Sequence, residues 1–382
     1  MSVDVIDFGC RLNLAEGASI AASLRGGAPR VVINSCAVTG EAVRQARQSI
    51  RRIARERPGV PIVVTGCAVV TDGARFAAMP EVSAVVAKEI LRDDMPAVSG
   101  AGHARAFVEV QNGCDHECTF CVTTLARGPG RSHPVARVVA AVAAAVERGA
   151  REAVLTGVDL TSYRPSLAEL VATILREVPA LPRLRLSSLD PAEVDPALFR
   201  LLVDEPRLMP HIHLSLQSGD ALILKRMRRR HTPGQATDLV QRLKHARPEF
   251  AFGGDLIAGF PTETEAMHTN SLAAIEACDL VFAHVFPYSP RPLTAAARMP
   301  QVSGDIARRR AGELRGAAQR RADAWRATLV GSHQDVLVER SGLAGHAPNF
   351  ATVSLGEVQL PGTIVRTKIV DVAGDRLIGV AA

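Results

Sequence analysis

The sequence predicts a three-part α/β chain: a doubly wound parallel sheet over residues 1–98, a partial (β/α)6 barrel over 103–328 and a small β-barrel over 329–382. Three observations predict it. Apolar, β-rich runs at 3–8, 31–34 and 62–65 alternate with helical segments, the pattern of a parallel sheet with helices on its faces. Six further runs, at 107–110, 153–156, 184–187, 212–216, 254–258 and 280–285, have helical stretches between them, which suits an open form of the β/α barrel. Beyond 328 the pattern becomes short alternating strands separated by Gly and Pro, as in a small barrel.

In the first part the segment 41–57 is the clearest helix. Each of the three strands there ends on a cysteine: Cys10 in FGC, Cys36 in NSC and Cys67 in TGC. The carboxyl ends of parallel strands share one edge, where such sheets bind ligands, so these residues are expected to converge. Half-buried core thiols are the plainer alternative. A loose stretch at 93–104, with Pro96, Gly100 and Gly102, reads as a linker. In the second part, 135–148 and 167–177 are helical, and a basic helical segment at 306–326 leads out. Strands at 336–339, 351–355, 363–371 and 377–380 build the third.

Composition bounds what the chain does. With 382 residues, 47% hydrophobic and 22% charged, it is expected to bury two or three cores and to be neither disordered nor membrane-spanning. Its longest apolar stretch, 138–146, is far shorter than the ~18 residues a spanning helix needs. The opening MSVDVIDFGC has no basic, then apolar, leader, so the expected location is the cytoplasm. A net charge of +6, almost all Arg with Lys at 88, 225, 244 and 368, permits a phosphate-rich partner without proving one. One Trp and 4% aromatic residues argue against a surface built mainly for stacking on bases. Seven cysteines in a chain of this size point to metal or redox chemistry rather than disulfides.

The sharpest motif is GCDHECTFC, with Cys114, Cys118 and Cys121 in the loop after the first barrel strand. Thiolates ligate iron–sulfur clusters, and three of them leave one iron of a four-iron cubane open to a substrate or cofactor. Zinc competes, but no fourth Cys or His stands at zinc-finger spacing, and His116 lies between the cysteines. A purely structural alignment on one helix face is the remaining alternative.

These residues resemble the signature of the radical S-adenosylmethionine (SAM) enzymes, and QNGCDHECTFC followed by ARGPGRS is similar to the methylthiotransferases among them. The resemblance spans essentially the whole chain through GCRLN, NSCAVT, TGCAV, LTGVDLTSY, RLSSLDP, HLSLQSGDALILKRM and DLIAGFPTETE, with a C-terminal piece similar to the TRAM domain. HVFPYSPRPLTAAARM and CTFCVTTLARG look most like the members that act on N6-threonylcarbamoyladenosine in tRNA.

The resemblance implies a radical SAM barrel in which Cys114, Cys118 and Cys121 hold a 4Fe–4S cluster whose free iron chelates SAM, cleaved on reduction to methionine and a 5′-deoxyadenosyl radical. It implies a second 4Fe–4S cluster on Cys10, Cys36 and Cys67 that carries or donates sulfur, and insertion of a methylated sulfur at C2 of adenosine 37 of tRNA. No catalytic residue is expected beyond the cluster ligands. Expected cofactor contacts are Gly157 and Asp159, Ser187 and Asp190, Gln217 with Ser218, and Arg127, whose planar fork suits a carboxylate of the cofactor or of a threonylcarbamoyl group. Gly157 also suits an ordinary turn and Arg127 a solvated surface; related enzymes commonly carry Glu at 190 and Gly at 262, where this chain has Asp190 and Thr262. Cys278 reads as a buried core thiol. Lys225, Arg226, Arg228 and Arg229, with Arg340, Phe350, Arg366 and Lys368 in the C-terminal barrel, are candidate RNA contacts, as are the arginines at 308–310, 320 and 321; a solvated face is the alternative. Implied partners are the tRNA anticodon stem-loop, an electron donor such as flavodoxin or ferredoxin, and a sulfur source, with no membrane. The rivals are the same reaction on N6-isopentenyladenosine or on a ribosomal-protein aspartate and, more remotely, a non-catalytic iron–sulfur RNA-binding redox sensor.

Overall fold

The computed structural model describes residues 3–91, 95–99 and 104–382. Its first body is a parallel sheet of β1 (Asp4–Asp7), β2 (Val31–Ser35), β3 (Ile62–Gly66) and β4 (Ala84–Val85), in that spatial order. Helix α1 (Arg11–Ser23) sets Ile20 against Val32 and Val63 on one face. On the other, α2 (Gly40–Glu56) and α3 (Ala68–Ala77) set Ile50 and Phe76 against Val31, Ile33 and Val64. Covered on both faces, β2 and β3 are buried throughout, which is why their sequences are unbroken apolar runs. The Thr39 hydroxyl caps α2 by accepting from the Ala42 amide, and Val43, Ala46, Ile50 and Ile53 recur at helical spacing on its buried face.

The second body opens with β5 (Val98–Ser99), β6 (Arg105–Glu109), the short pair β7 (Gln111–Asn112) and β8 (Arg131–Ser132), and α4 (Thr123–Arg127) between them. It continues through α5 (Val135–Glu147), β9 (Glu152–Thr156), α6 (Leu167–Glu177), β10 (Arg183–Leu186), β11 (Ser188–Leu189), α7 (Pro196–Asp204) and β12 (His211–Gln217). Then come α8 (Ala221–Arg226), α9 (Pro233–Ala246), β13 (Ala251–Ala258), α10 (Glu265–Ala277), β14 (Leu280–Pro287) and α11 (Gly304–Thr328). Parallel pairing runs β6–β9–β10 and then β11–β12–β13–β14, so the third expected strand is broken at Ser187 and the wall continues across the break. Among the described residues nothing pairs β6 with β14, and the barrel is open on that side, as expected of a partial one. β5, lying in the expected linker, runs antiparallel to β6; the linker's residues 93–94 and 100–103 lie outside the described residues.

The third body is a closed five-stranded barrel, β15 (His333–Val338), β16 (Ala344–His346), β17 (Thr352–Leu355), β18 (Ile364–Ala373) and β19 (Arg376–Ala381), in ring order β15-β16-β17-β19-β18. Its apolar core extends into the second body, taking in Ala251, Val281 and Trp325. Phe350, expected to be exposed, is half-buried: its ring lies 4.8 Å from that of His211 and 5.9 Å from Phe282, with the Arg185 guanidinium 4.9 Å away. The reason is packing, since the turn carrying it inserts between the two barrels. Arg185 forms a fully buried bidentate pair with Glu152 (2.9 and 3.0 Å) and donates to the Pro348 carbonyl. Among the described residues no helix is long and apolar enough to cross a membrane.

Candidate active site and its cysteine triplets

Two groups of three cysteines lie at carboxyl strand edges. In the first body Cys10 precedes α1, Cys36 follows β2 and Cys67 precedes α3. Gly9, at φ +98°, backs directly onto Cys36: a Cβ there would stand 2.7 Å from the sulfur, so only glycine serves. Burial pushes the Cys36 thiol up to about 11, and the adjacent Cys10 and Cys67 add to the rise. Thiols so crowded do not ionise together unless a cation sits among them, which is what a cluster of irons provides. Cys10 is exposed while Cys36 is buried, so the triplet opens to solvent on one side.

Behind this triplet lies a buried polar web. Arg127 donates to Glu16 (2.8 and 3.0 Å), to Asn13 Oδ1 (2.6 Å) and to Asn112 Oδ1 (2.9 Å); Lys88 also binds Glu16. Burial works against the Arg127 charge, but Cys67, Glu16 and Cys10 outweigh it and hold the pKa well above the ordinary value. Arg127 is therefore neither on the surface nor free for a SAM carboxylate. It ties the barrel to the first body beside Cys10 and Cys67, because α4 packs against α3.

Cys114, Cys118 and Cys121 follow β7 on a loop held by its own amides: His116 N–H donates to Cys114 Sγ (3.3 Å), and Thr123 N–H to Cys121 Sγ (3.4 Å). Around the loop, strand ends bring in the expected residues. Asp159, after β9, lies 3.8 Å from Cys114 Sγ and 3.0 Å from His116 Nε2. Asp159, Cys118 and Glu193 beside it push His116 up to about 12. Cys114, His116 and Asp159 each bring one possible metal ligand within 4.8 Å of the others. Gly157 abuts Gln111, whose Oε1 accepts from the Asp159 amide (2.9 Å). Asp190 accepts from Arg229 (2.6 Å), which also donates to Ser215 O (2.9 Å) and reaches Cys118 Sγ (3.5 Å). Ser187 Oγ is buried without a hydrogen-bond partner. Gln217 ends β12 at φ +66°, a strained conformation for a side-chain-bearing residue, and Ser218 beside it is buried against Ser271. Three thiols backed by donors to sulfur, with Asp159, His116 and Arg229 beside them, fit an open-iron cluster with a polar ligand alongside.

Arg229, expected among the RNA contacts, is a buried neighbour of Cys118 instead; the turn at Arg228 (φ +58°) swings it inward. Lys225, Arg228, Arg340, Arg366 and Lys368 are exposed, and Arg226 is half-buried against the Thr262 carbonyl. Arg310 is buried on Glu263, unlike the exposed Arg308, Arg309 and Arg320. Cys278 is buried in the core. Sequence reasoning passed over Asn13, Glu16, Glu193 and the role of His116, although Asn13 and His116 stand inside the cysteine motifs themselves.

Residues 108–273 match the radical SAM superfamily, and residues 2–87 match the Uncharacterized protein family UPF0004. The chain is 40% identical, over 97% of its length and 95% of the relative's, to the threonylcarbamoyladenosine tRNA methylthiotransferase MtaB of Rickettsia prowazekii. It is 30% identical, over 98% and 96% of the two lengths, to the tRNA-2-methylthio-N(6)-dimethylallyladenosine synthase of Paracoccus denitrificans. Among solved structures, the radical SAM methyltransferase TsrM of Kitasatospora setae shares the fold at a TM-score of 0.56, with 15% identity over 76% of this chain and 74% of that one.

Proposed function

Since the chain belongs to the radical SAM methylthiotransferases, whose cofactors are 4Fe–4S clusters and SAM, we propose that it places a methylthio group on C2 of N6-threonylcarbamoyladenosine at position 37 of tRNA. The observation that carries the reading is the pair of cysteine triplets, each of three thiols at a carboxyl strand edge with no fourth cysteine beside it among the described residues. The 40% identity with the Rickettsia enzyme supports this substrate over the dimethylallyl one. In this reading Cys10, Cys36 and Cys67 hold one cluster, and Cys114, Cys118 and Cys121 the other. When bound, the clusters and SAM supply the electron, the radical, the sulfur and the methyl group.

The chain's own residues position and shield. Arg229 and the His116 ring donate toward Cys118, which stabilises its thiolate. Asp159 and Asp190 hold those two donors in place, and Ser187 offers an unpartnered hydroxyl to a ligand. Arg127 and Glu16 lock the first body onto the barrel and place the triplets in one assembly. Domains at 1–98, 103–328 and 329–382, the last TRAM-like, belong to the proposal, as do a cytoplasmic location, a flavodoxin- or ferredoxin-type donor, a sulfur source, and tRNA contacts at Lys225, Arg228, Arg340, Arg366 and Lys368.

The test is nucleoside mass spectrometry of tRNAs carrying either modified adenosine, incubated with reconstituted enzyme, SAM, reductant and sulfide. A methylthio product on N6-threonylcarbamoyladenosine supports the reading; product confined to N6-isopentenyladenosine overturns it.

A further inference from the structure

With Arg127 locked onto Glu16, another group must meet the charge that distinguishes threonylcarbamoyl from isopentenyl adenosine, namely a carboxylate. Arg11, the first residue of α1, immediately follows Cys10 and is exposed. Among the described residues its guanidinium makes no hydrogen bond or ion pair. It lies over two rings, 5.8 Å from the Phe107 centroid and 5.3 Å from that of Phe350. Phe107 is on β6, the strand at the barrel's open side.

The lining around it carries more positive charge than it neutralises. Arg105 and Arg185 share these rings with it, and Arg105 is paired with Glu339 (2.9 Å) and Arg185 with Glu152. Three guanidiniums thus face two carboxylates in a partly desolvated space, a balance that favours one more anion. On β13, Asp255 accepts from His213 Nε2 (3.0 Å) and His284 Nδ1 (3.2 Å).

We propose that Arg11 receives the carboxylate of the substrate's N6 substituent and so selects an acid-bearing adenosine. The inference rests on the N6-threonylcarbamoyladenosine reading above. It is also sterically coherent: C2 and N6 lie on either side of N1 along one edge of the adenine ring, so a base whose C2 is offered to the Cys10 triplet carries its N6 group past the neighbouring residue. Arg11's planar fork matches a carboxylate bidentately, which a lysine ammonium cannot do.

Fluorescence anisotropy of the reconstituted full-length enzyme tests this with anticodon stem-loops bearing N6-threonylcarbamoyladenosine or its methyl ester. The wild type should bind the acid about tenfold or more tighter than the ester. Arg11→Gln should equalise the two, and Arg11→Lys should keep part of the difference. Equal binding of acid and ester by the wild type overturns the proposal, and so does an Arg11→Gln variant, with iron content intact, that keeps the full difference. If Arg11→Gln loses iron, the wild-type comparison and Arg11→Lys still decide. Should the acid-bearing tRNA be methylthiolated while acid and ester bind alike, only the role of Arg11 fails. Should it not be methylthiolated at all, the functional reading fails first.

Discussion

Asp7 ends β1 with its carboxyl pushed up to about 6 by burial, even though the Asn34 amide donates to it at 2.8 Å. Its folded pKa stands above the unfolded value of about 4, so the folded chain holds the proton more tightly. Stability is therefore fullest below pH ~4 and is lost as pH rises through about 6, by at most roughly 3 kcal/mol. Asp7→Asn should accordingly raise the melting temperature of the apo chain at pH 7.5 and leave it nearly unchanged at pH 4; a pH-independent shift contradicts the account. Thr262 poses a backbone problem instead, standing at φ +69°, the left-handed region that favours Gly. Thr262→Gly removes that strain and should stabilise by ~1 kcal/mol in denaturant melts. For the cysteines the expected readout is iron: about eight per reconstituted chain, and about four when Cys114, Cys118 and Cys121 are all replaced by Ala. About four in the wild type and none in the variant would remove the first-body cluster and the sulfur-insertion chemistry with it. These six residues were legible because spacing and strand-end position are written locally. Arg127 and Arg229 were not, since which charge each meets depends on packing between segments far apart in sequence.

Elements divide along the same line. The amphipathic α2 was evident from its periodicity, and its buried stripe makes a direct forecast: Ile50→Ala should cost ~2–4 kcal/mol through the cavity it leaves, while the exposed Arg51→Ala should cost almost nothing. Urea midpoints of the two variants check this, and similar losses would mean that the helix does not pack as described. The basic run at 225–230 shows where a linear reading stops. α8 ends within it, Ile223, Leu224 and Met227 bury beneath Phe260, and the left-handed turn at Arg228 alternates the remaining charges between solvent and core. Composition alone could not tell Lys225, which faces solvent, from Arg229, which faces Asp190. The break of the third barrel strand at Ser187 was equally hidden, because apolar periodicity reports which residues are buried and not where a hydrogen-bonding ladder slips.

At the scale of the whole molecule, the C-terminal barrel is less separate than its change of sequence pattern suggests. Its core is shared with Ala251, Val281 and Trp325, and its backbone carbonyls are acceptors for two buried cations: Asp335 and His346 for Arg183, Pro348 for Arg185. Phe350, held at φ +72° against His211 and Phe282, closes the space between the two barrels. A chain ending before residue 329 would expose those apolar side chains to water and remove the carbonyl acceptors of Arg183. The two barrels should therefore unfold together, not as independent units. The sequence has a single Trp, Trp325, and it sits at this junction, so its fluorescence reports directly on the interface. Truncation should shift that emission to the red and lower the melting temperature of the remaining barrel. If the truncated chain instead keeps the blue emission and the melting temperature of the full chain, the C-terminal barrel is an appended module, and its contacts with Arg183 and Arg185 contribute nothing to the stability of the site.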